Sequence, residues 1–240
     1  MAILKCEKVT QRFGLLDAVK DLSFEVEEGE IFGIAGPNGA GKTTLFNVIT
    51  GVYRGSGDII FDNVNITRLR TYQICHKGLV RTFQIPQLFL TLTMLANLKV
   101  GAHFGSLGED NEEENIREVL ELLGLKGKEN VIAANLNLCD KKLTMLATAL
   151  TTKPKLVLLD EPIGGLSPPE VKEFVVLVQK INKELGLTIV IIEHLMKVLT
   201  KLSNRLMIME NGEKIAIGPP GEVVKNEKVI EVYLGRSKYA

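Results

Sequence analysis

The chain has no tryptophan, only 5% aromatic residues, three histidines and three cysteines in 240 residues. Each scarcity removes a class of function. Few aromatics leave little with which to build a base-stacking platform for single-stranded nucleic acid. Lysine plus arginine number 29 and aspartate plus glutamate number 29, so no excess charge draws a polyanion to the chain. Nucleic acid is not an expected partner. Cys6, Cys75 and Cys139 are odd in number and far apart, without metal-ligand spacing. They read as reduced thiols of a cytosolic protein. No apolar run approaches the roughly 18 residues a membrane span needs. The N-terminal MAILKCEKVTQRFG becomes charged too early for a signal peptide. Any membrane contact is therefore expected to be indirect, through a partner.

What is present is an ordinary globular composition, 45% apolar and 24% charged, on a length that suits one core with a small satellite lobe. Three short runs stand out: IFGIAG at 31–36, KLVLLD at 155–160 and TIVIIEH at 188–194. They are β-branched or leucine-rich and do not alternate, the pattern of parallel strands buried on both faces. Between the second and third, Val171, Phe174, Val175, Val178, Ile181 and Leu185 follow helical spacing, and Gly186 is placed to end that helix. The core is thus predicted to be α/β with a parallel sheet. Residues 1–30 and SGDIIFDNVNI at 56–66, with a turn at Asp62-Asn63, predict an antiparallel β lobe. In 89–150 the spacing of Ile116, Val119, Leu120 and Leu123 predicts a helix capped at Gly124. The acidic SLGEDNEEEN at 106–115 reads as a solvated loop.

Directly after the first buried strand stands GPNGAGKTT, residues 36–44, a full match to G-x-x-x-x-G-K-[ST] with a helix-like segment following. Gly36, Gly39 and Gly41 let the backbone wrap closely around a polyphosphate, and Asn38, Ala40 and Thr44 complete a loop whose N–H groups point inward. The next helix start adds positive potential. Lys42 is expected to reach the β- and γ-phosphates and Thr43 to hold Mg²⁺. In KLVLLDEP, Asp160 closes a buried strand, where an unpaired carboxylate would be costly. It is the expected carboxylate of the Mg²⁺ shell, and Glu161 after it is the natural group to polarise an attacking water.

These motifs, together with Gln84 in VRTFQIPQLF and His194 at the end of TIVIIEH, resemble the nucleotide-binding subunits of ATP-binding-cassette (ABC) transporters. The resemblance implies a P-loop NTPase fold with a RecA-like parallel sheet, an antiparallel β lobe and a helical subdomain. On that basis 1–240 is one ABC ATPase domain. Residues 1–88 and 151–240 form the nucleotide-binding core with its β lobe, and 89–150 form the helical subdomain. Gln84 matches the Q-loop glutamine that contacts metal and water, His194 the switch histidine that contacts the γ-phosphate, and Phe13 the aromatic that stacks on adenine. GGLS at 164–167 matches the D-loop, with Ser167 in place of the usual Asp. RFGLLDAVKDLSFEV, the pairing of LFNVITG with RTFQ-x-x-x-LF, and the ending VIEVYLG look like the branched-chain amino-acid importer group.

The resemblance implies an ATPase using ATP and Mg²⁺, closing head to tail with a second ATPase subunit and driving a transmembrane permease from the inner face of the cell membrane. Leu88, Phe89 and Leu90 are candidates for the permease contact. Two other readings remain: a regulatory or structural ABC module with little hydrolysis of its own, and a soluble cassette acting on DNA or ribosomes. The last lacks support, because such proteins carry coiled-coil insertions or two cassettes and this chain has neither.

One departure stands out. The family signature, LSGGQ or a looser form such as LPYGDQ, is expected where this chain has AANLNLCDKKLTML, residues 133–146. Aligned on Leu136, Asn137 stands at the serine, Leu138 and Cys139 at the glycines, and Asp140 at the glutamine. Asn137 can still cap a helix. Cys139 adds a side chain where the relatives present bare backbone, and Asp140, if turned toward phosphate, would repel it. A homodimer would then have two impaired sites, so a heterodimer is favoured.

Overall fold

The computed structural model describes residues 1–105 and 111–234. The chain opens with β1 (Ala2–Phe13), β2 (Leu16–Glu27), β3 (Ile31–Ala35), α1 (Lys42–Ile49), β4 (Ser56–Phe61), β5 (Val64–Asn65) and α2 (Thr71–His76). Next come β6 (Leu79–Arg81), α3 (Met94–Gly105), α4 (Glu112–Leu122), α5 (Leu138–Leu150), β7 (Leu156–Asp160), α6 (Pro168–Leu185) and β8 (Thr188–Ile192). The last elements are α7 (Met196–Leu202), β9 (Arg205–Glu210), β10 (Glu213–Gly218), α8 (Pro220–Val223) and α9 (Glu227–Leu234). They form two compact units, Met1–Ile74 with Thr188 onward, and Cys75–Leu187.

The first unit holds an antiparallel sheet, β2-β1-β4-β5, and a run of strands in the order β10-β9-β3-β8. Strands β1 and β2 pair from Ala2↔Glu27 to Phe13↔Leu16. The β4–β5 turn falls at Asp62 and Asn63, whose φ values of 47° and 61° are those of a primed hairpin turn. β3 pairs in parallel with β8 (Gly33↔Ile191) and with β9 (Gly33↔Leu206). Every residue of β3 and of β8 is buried. The two runs lack alternation because neither face meets water, and each buried Ile there contributes about 1.5–3 kcal/mol.

In the second unit, β6 and β7 pair in parallel through Leu79↔Leu156 and Arg81↔Leu158. Helix α6 buries Phe174, Val178 and Ile181 of the predicted face, while Val171 and Val175 are half-buried and Leu185, in the last turn, is exposed. Ser167 caps its start: the Ser167 N–H donates to Glu170 at 2.7 Å, and Gly186, at φ 62°, ends the helix. Helix α4 buries Ile116, Val119 and Leu120, and its cap residue is Leu123, with Gly124 following at φ 67°. The acidic loop expectation is corrected over Glu112, Glu113 and Glu114, which form the first turn of α4. Carboxylates there complement the positive end of the helix; residues 106–110 of that stretch lie outside the described residues. Among the described residues no helix is long and apolar enough to cross a membrane.

Candidate active site

Between β3 and α1 the chain makes the glycine loop. Gly36, Gly39 and Gly41 have φ of 153°, 81° and 94°, all in the region that disfavours a side chain. At two of them space is also missing. A Cβ on Gly36 would lie 2.1 Å from the Met209 carbonyl oxygen, and one on Gly41 would lie 2.0 Å from that of Ala18. The loop is pinned from outside by the β9–β10 turn, where the Gly212 N–H donates to the Ala40 carbonyl at 3.1 Å.

Helix α1 begins at Lys42 with Gly41 as its cap and no side-chain capping bond. A helix start of this kind, capped by a glycine, points its backbone N–H groups and the positive end of its dipole toward the loop. Lys42 is 5% exposed and its Nζ donates to the Gly36 and Pro37 carbonyls at 2.8 and 2.9 Å, which holds the ammonium within the loop. Thr43 and Asn38 are exposed, Thr44 is half-buried and Ala40 is buried. Phe13, at the end of β1, is 43% exposed and meets Tyr53 edge to face at 5.2 Å, which leaves ring surface open to a base. His194 lies two residues past β8, exposed, its backbone N–H donating to Glu193 Oε2 at 3.2 Å.

The second unit gathers another set. Asp160, the last residue of β7, is 2% exposed and accepts from Arg81 Nη2 at 2.6 Å. Both side chains are almost wholly out of water, so each charge depends on the other. Glu161 follows at φ 47°, a left-handed conformation that costs a non-glycine residue about 1–3 kcal/mol unless its surroundings enforce it. Its Oε2 accepts from Gln84 Nε2 at 2.5 Å. The structure thus pairs Gln84 with Glu161, two residues that the sequence singles out separately. Lys142 of α5, 3% exposed, donates to the carbonyls of both Gln84 and Glu161 at 3.3 Å.

The glycine-free stretch also forms a helix start. Asn137 caps α5, its Oδ1 accepting from the Asp140 N–H at 2.8 Å. Asp140 turns to Lys128, whose Nζ lies 2.7 Å from its Oδ1, so its charge is compensated. Leu138 is 42% exposed and Cys139 half-buried. Burial first, and the carboxylates of Glu170, Asp140 and Glu173 after it, push the Cys139 thiol above its ordinary value.

Comparison with known proteins decides the family. Residues 19–164 match the ABC transporter family, and 213–239 match the family described as branched-chain amino acid ATP-binding cassette transporter. The chain belongs to the ABC transporter family. It is 36% identical over 251 residues to LivG of Salmonella typhimurium, a high-affinity branched-chain amino acid transport ATP-binding protein, covering 98% of each chain. A nucleotide-free ATP-binding cassette from an ABC transporter superposes with a TM-score of 0.89 at 33% identity, over 98% of this chain and 100% of that one. A dimeric cassette in a post-hydrolysis state, bound to ADP and phosphate, gives 0.81 at 25% identity, over 90% and 98%. The fold is that of an ABC ATPase, and the chain is an ATPase of that family.

Three polar residues of this ABC ATPase escape sequence reasoning. Arg81 and Lys142 look like surface cations until the fold buries them. Tyr233, on α9, keeps more than a third of its surface exposed, yet partial burial raises its phenol and a hydrogen bond with the Gly36 backbone opposes that shift. Its only sequence signal is membership of the VIEVYLG ending.

Proposed function

We propose that the chain is the ATP-hydrolysing subunit of a membrane importer for branched-chain amino acids or a similar small polar solute, working head to tail with a second ATPase subunit. The observation that carries the hydrolytic part of this reading is the Gln84–Glu161 pair beside the buried Asp160; the likeness to branched-chain amino acid transport ATP-binding proteins supports the transport part. A carboxylate held by a glutamine amide is set to accept a proton from water, which then attacks the γ-phosphate in line. Lys42 and the loop N–H groups carry the phosphate charge, Phe13 stacks on adenine and His194 contacts the γ-phosphate. Residues 89–150 act as the helical lobe of one cassette that spans the chain.

Thr43, Asp160 and Gln84 supply a hydroxyl, a carboxylate and an amide oxygen. These are hard donors that suit Mg²⁺, which favours one or two carboxylates plus substrate phosphates. Bound there, Mg²⁺ would neutralise charge on the β- and γ-phosphate oxygens.

The partner subunit is a different chain in this reading. The relatives' signature offers glycine backbone to the phosphate of the opposite subunit, and here Leu138 and Cys139 interpose side chains. This chain's own phosphate loop works when a partner brings an intact signature, whereas the partner's loop faces a degenerate one. The permease docks on exposed apolar residues near Gln84: Phe89 is 57% and Leu90 50% exposed, while Leu88 is half-buried and belongs partly to the interior. That docking places the chain on the inner face of the membrane without crossing it.

The test is Glu161→Gln. Turnover falls by about 10²–10⁴-fold, as for loss of a general base, while ATP binding persists and the closed dimer accumulates. Turnover equal to the parent's would remove Glu161 from its role. Binding without turnover both in the parent alone and in the parent with a second subunit would favour the regulatory module, whereas turnover only in the mixture supports the heteromeric transporter.

A further inference from the structure

Helix α5 starts at the degenerate signature and carries Lys142 one turn further on. A buried ammonium has to be matched by acceptors, because an isolated charge in low dielectric is prohibitively costly. Acceptors at Lys142 include the backbone carbonyls of Gln84 and Glu161, at 3.3 Å each, from residues 58 and 19 positions away in the chain. The side chains of those two residues are joined by the Gln84 Nε2 to Glu161 Oε2 hydrogen bond. A ring of contacts results: one ammonium grips two backbones whose side chains grip each other. Glu161 has the left-handed φ of 47° within this ring, a conformation that persists only where surroundings impose it. A lysine suits the place, since its compact ammonium carries three donors in a tetrahedral fan and can serve two carbonyls at once.

We propose that Lys142 is a positioning residue that ties the signature helix to the water-activating pair, so that a shift of α5 moves Glu161. This rests on the reading of Glu161 as the general base. The N-terminus of α5, at Asn137 to Cys139, is the segment that the proposed dimer turns toward the second subunit. Lys142 therefore gives the state of the opposite phosphate site a direct mechanical route to the carboxylate of this one. Docking of the second subunit against the α5 start and water activation at Glu161 become coupled through a single side chain.

The experiment uses the full chain with Lys142→Met, which keeps length and apolar bulk without charge, Lys142→Gln, which keeps donors without charge, and Lys142→Arg. The first readout is amide hydrogen exchange of 82–90 and 161–166 in the nucleotide-free protein. The second is kcat and KM for ATP in the dimer. Lys142→Met raises exchange in both segments by roughly tenfold or more while the phosphate loop keeps its protection. Its kcat falls by about 10²-fold with KM for ATP nearly unchanged, the signature of a loss confined to the transition state. Lys142→Gln moves in the same direction and Lys142→Arg recovers most of the rate. Unchanged exchange in both segments, or an equal loss of protection throughout the chain in Met and Gln variants alike, overturns the proposal. A parent that fails to turn over in any assembly sinks the transport reading, and the exchange comparison still decides the role of Lys142.

Discussion

Two helix starts in this molecule face the same physical problem with opposite solutions. At α1 the cap is Gly41, left-handed and without a side-chain capping bond, the last of the three loop glycines. At α5 the cap is Asn137, whose carboxamide oxygen takes up the Asp140 N–H, followed by the side chains of Leu138 and Cys139. Unsatisfied N–H groups at a helix start attract anions, and a capping side chain removes part of that attraction. The first start is built to receive a phosphate. The second is built to be stable on its own, and it repairs its one dangerous charge by pairing Asp140 with Lys128.

The sharpest way to break the comparison is to give each start the other's residue type. Gly41→Ala forces a Cβ to within 2.0 Å of the Ala18 carbonyl at a φ of 94°. It should cost about 2–4 kcal/mol in urea unfolding, whereas Cys139→Ala should stay within about 1 kcal/mol. Lys42→Ala comes next. Loss of charged hydrogen bonds worth about 1.5–3 kcal/mol should weaken ATP binding roughly 10- to 100-fold in a fluorescent-nucleotide titration, with no matching loss for Lys141→Ala. Asn137→Ala removes a helix cap and should lower stability by about 1 kcal/mol, while leaving the ATP affinity of the isolated chain unchanged. The smallest effect is chemical. Thiolate is the reactive form, and burial with neighbouring carboxylates raises the Cys139 thiol, so less thiolate is present at a given pH. Iodoacetamide should label Cys139 more slowly than free glutathione at pH 8, with the gap closing as pH rises.

How far the sequence discloses these two starts follows from the range of the interactions. The glycine loop is legible because its signal is local: a buried run, fixed glycine spacing, then a helix. The Asp62-Asn63 turn and the Gly186 helix end are legible for the same reason, since each is a backbone requirement written into one or two residues. Arg81, Lys142 and Tyr233 are illegible because their meaning comes from partners 79, 58 and nearly 200 positions away. In sequence, a lysine bound for burial looks no different from a solvated one. The direction of Asp140 is hidden likewise, because nothing near it announces Lys128 as its counter-ion.

The central claim is that the degenerate start of α5 prevents this chain from completing a partner's site. It can be tested with the chain alone. A variant combining Asn137→Ser and Cys139→Gly with Lys42→Ala has a restored signature and a disabled phosphate loop. Mixed with the parent, it supplies the signature to the parent's intact loop. ATPase turnover of the mixture should exceed the sum of the two separate proteins by at least about tenfold, as expected when oxyanion-type donors are restored. A parent that hydrolyses ATP alone as fast as the mixture does would contradict the account.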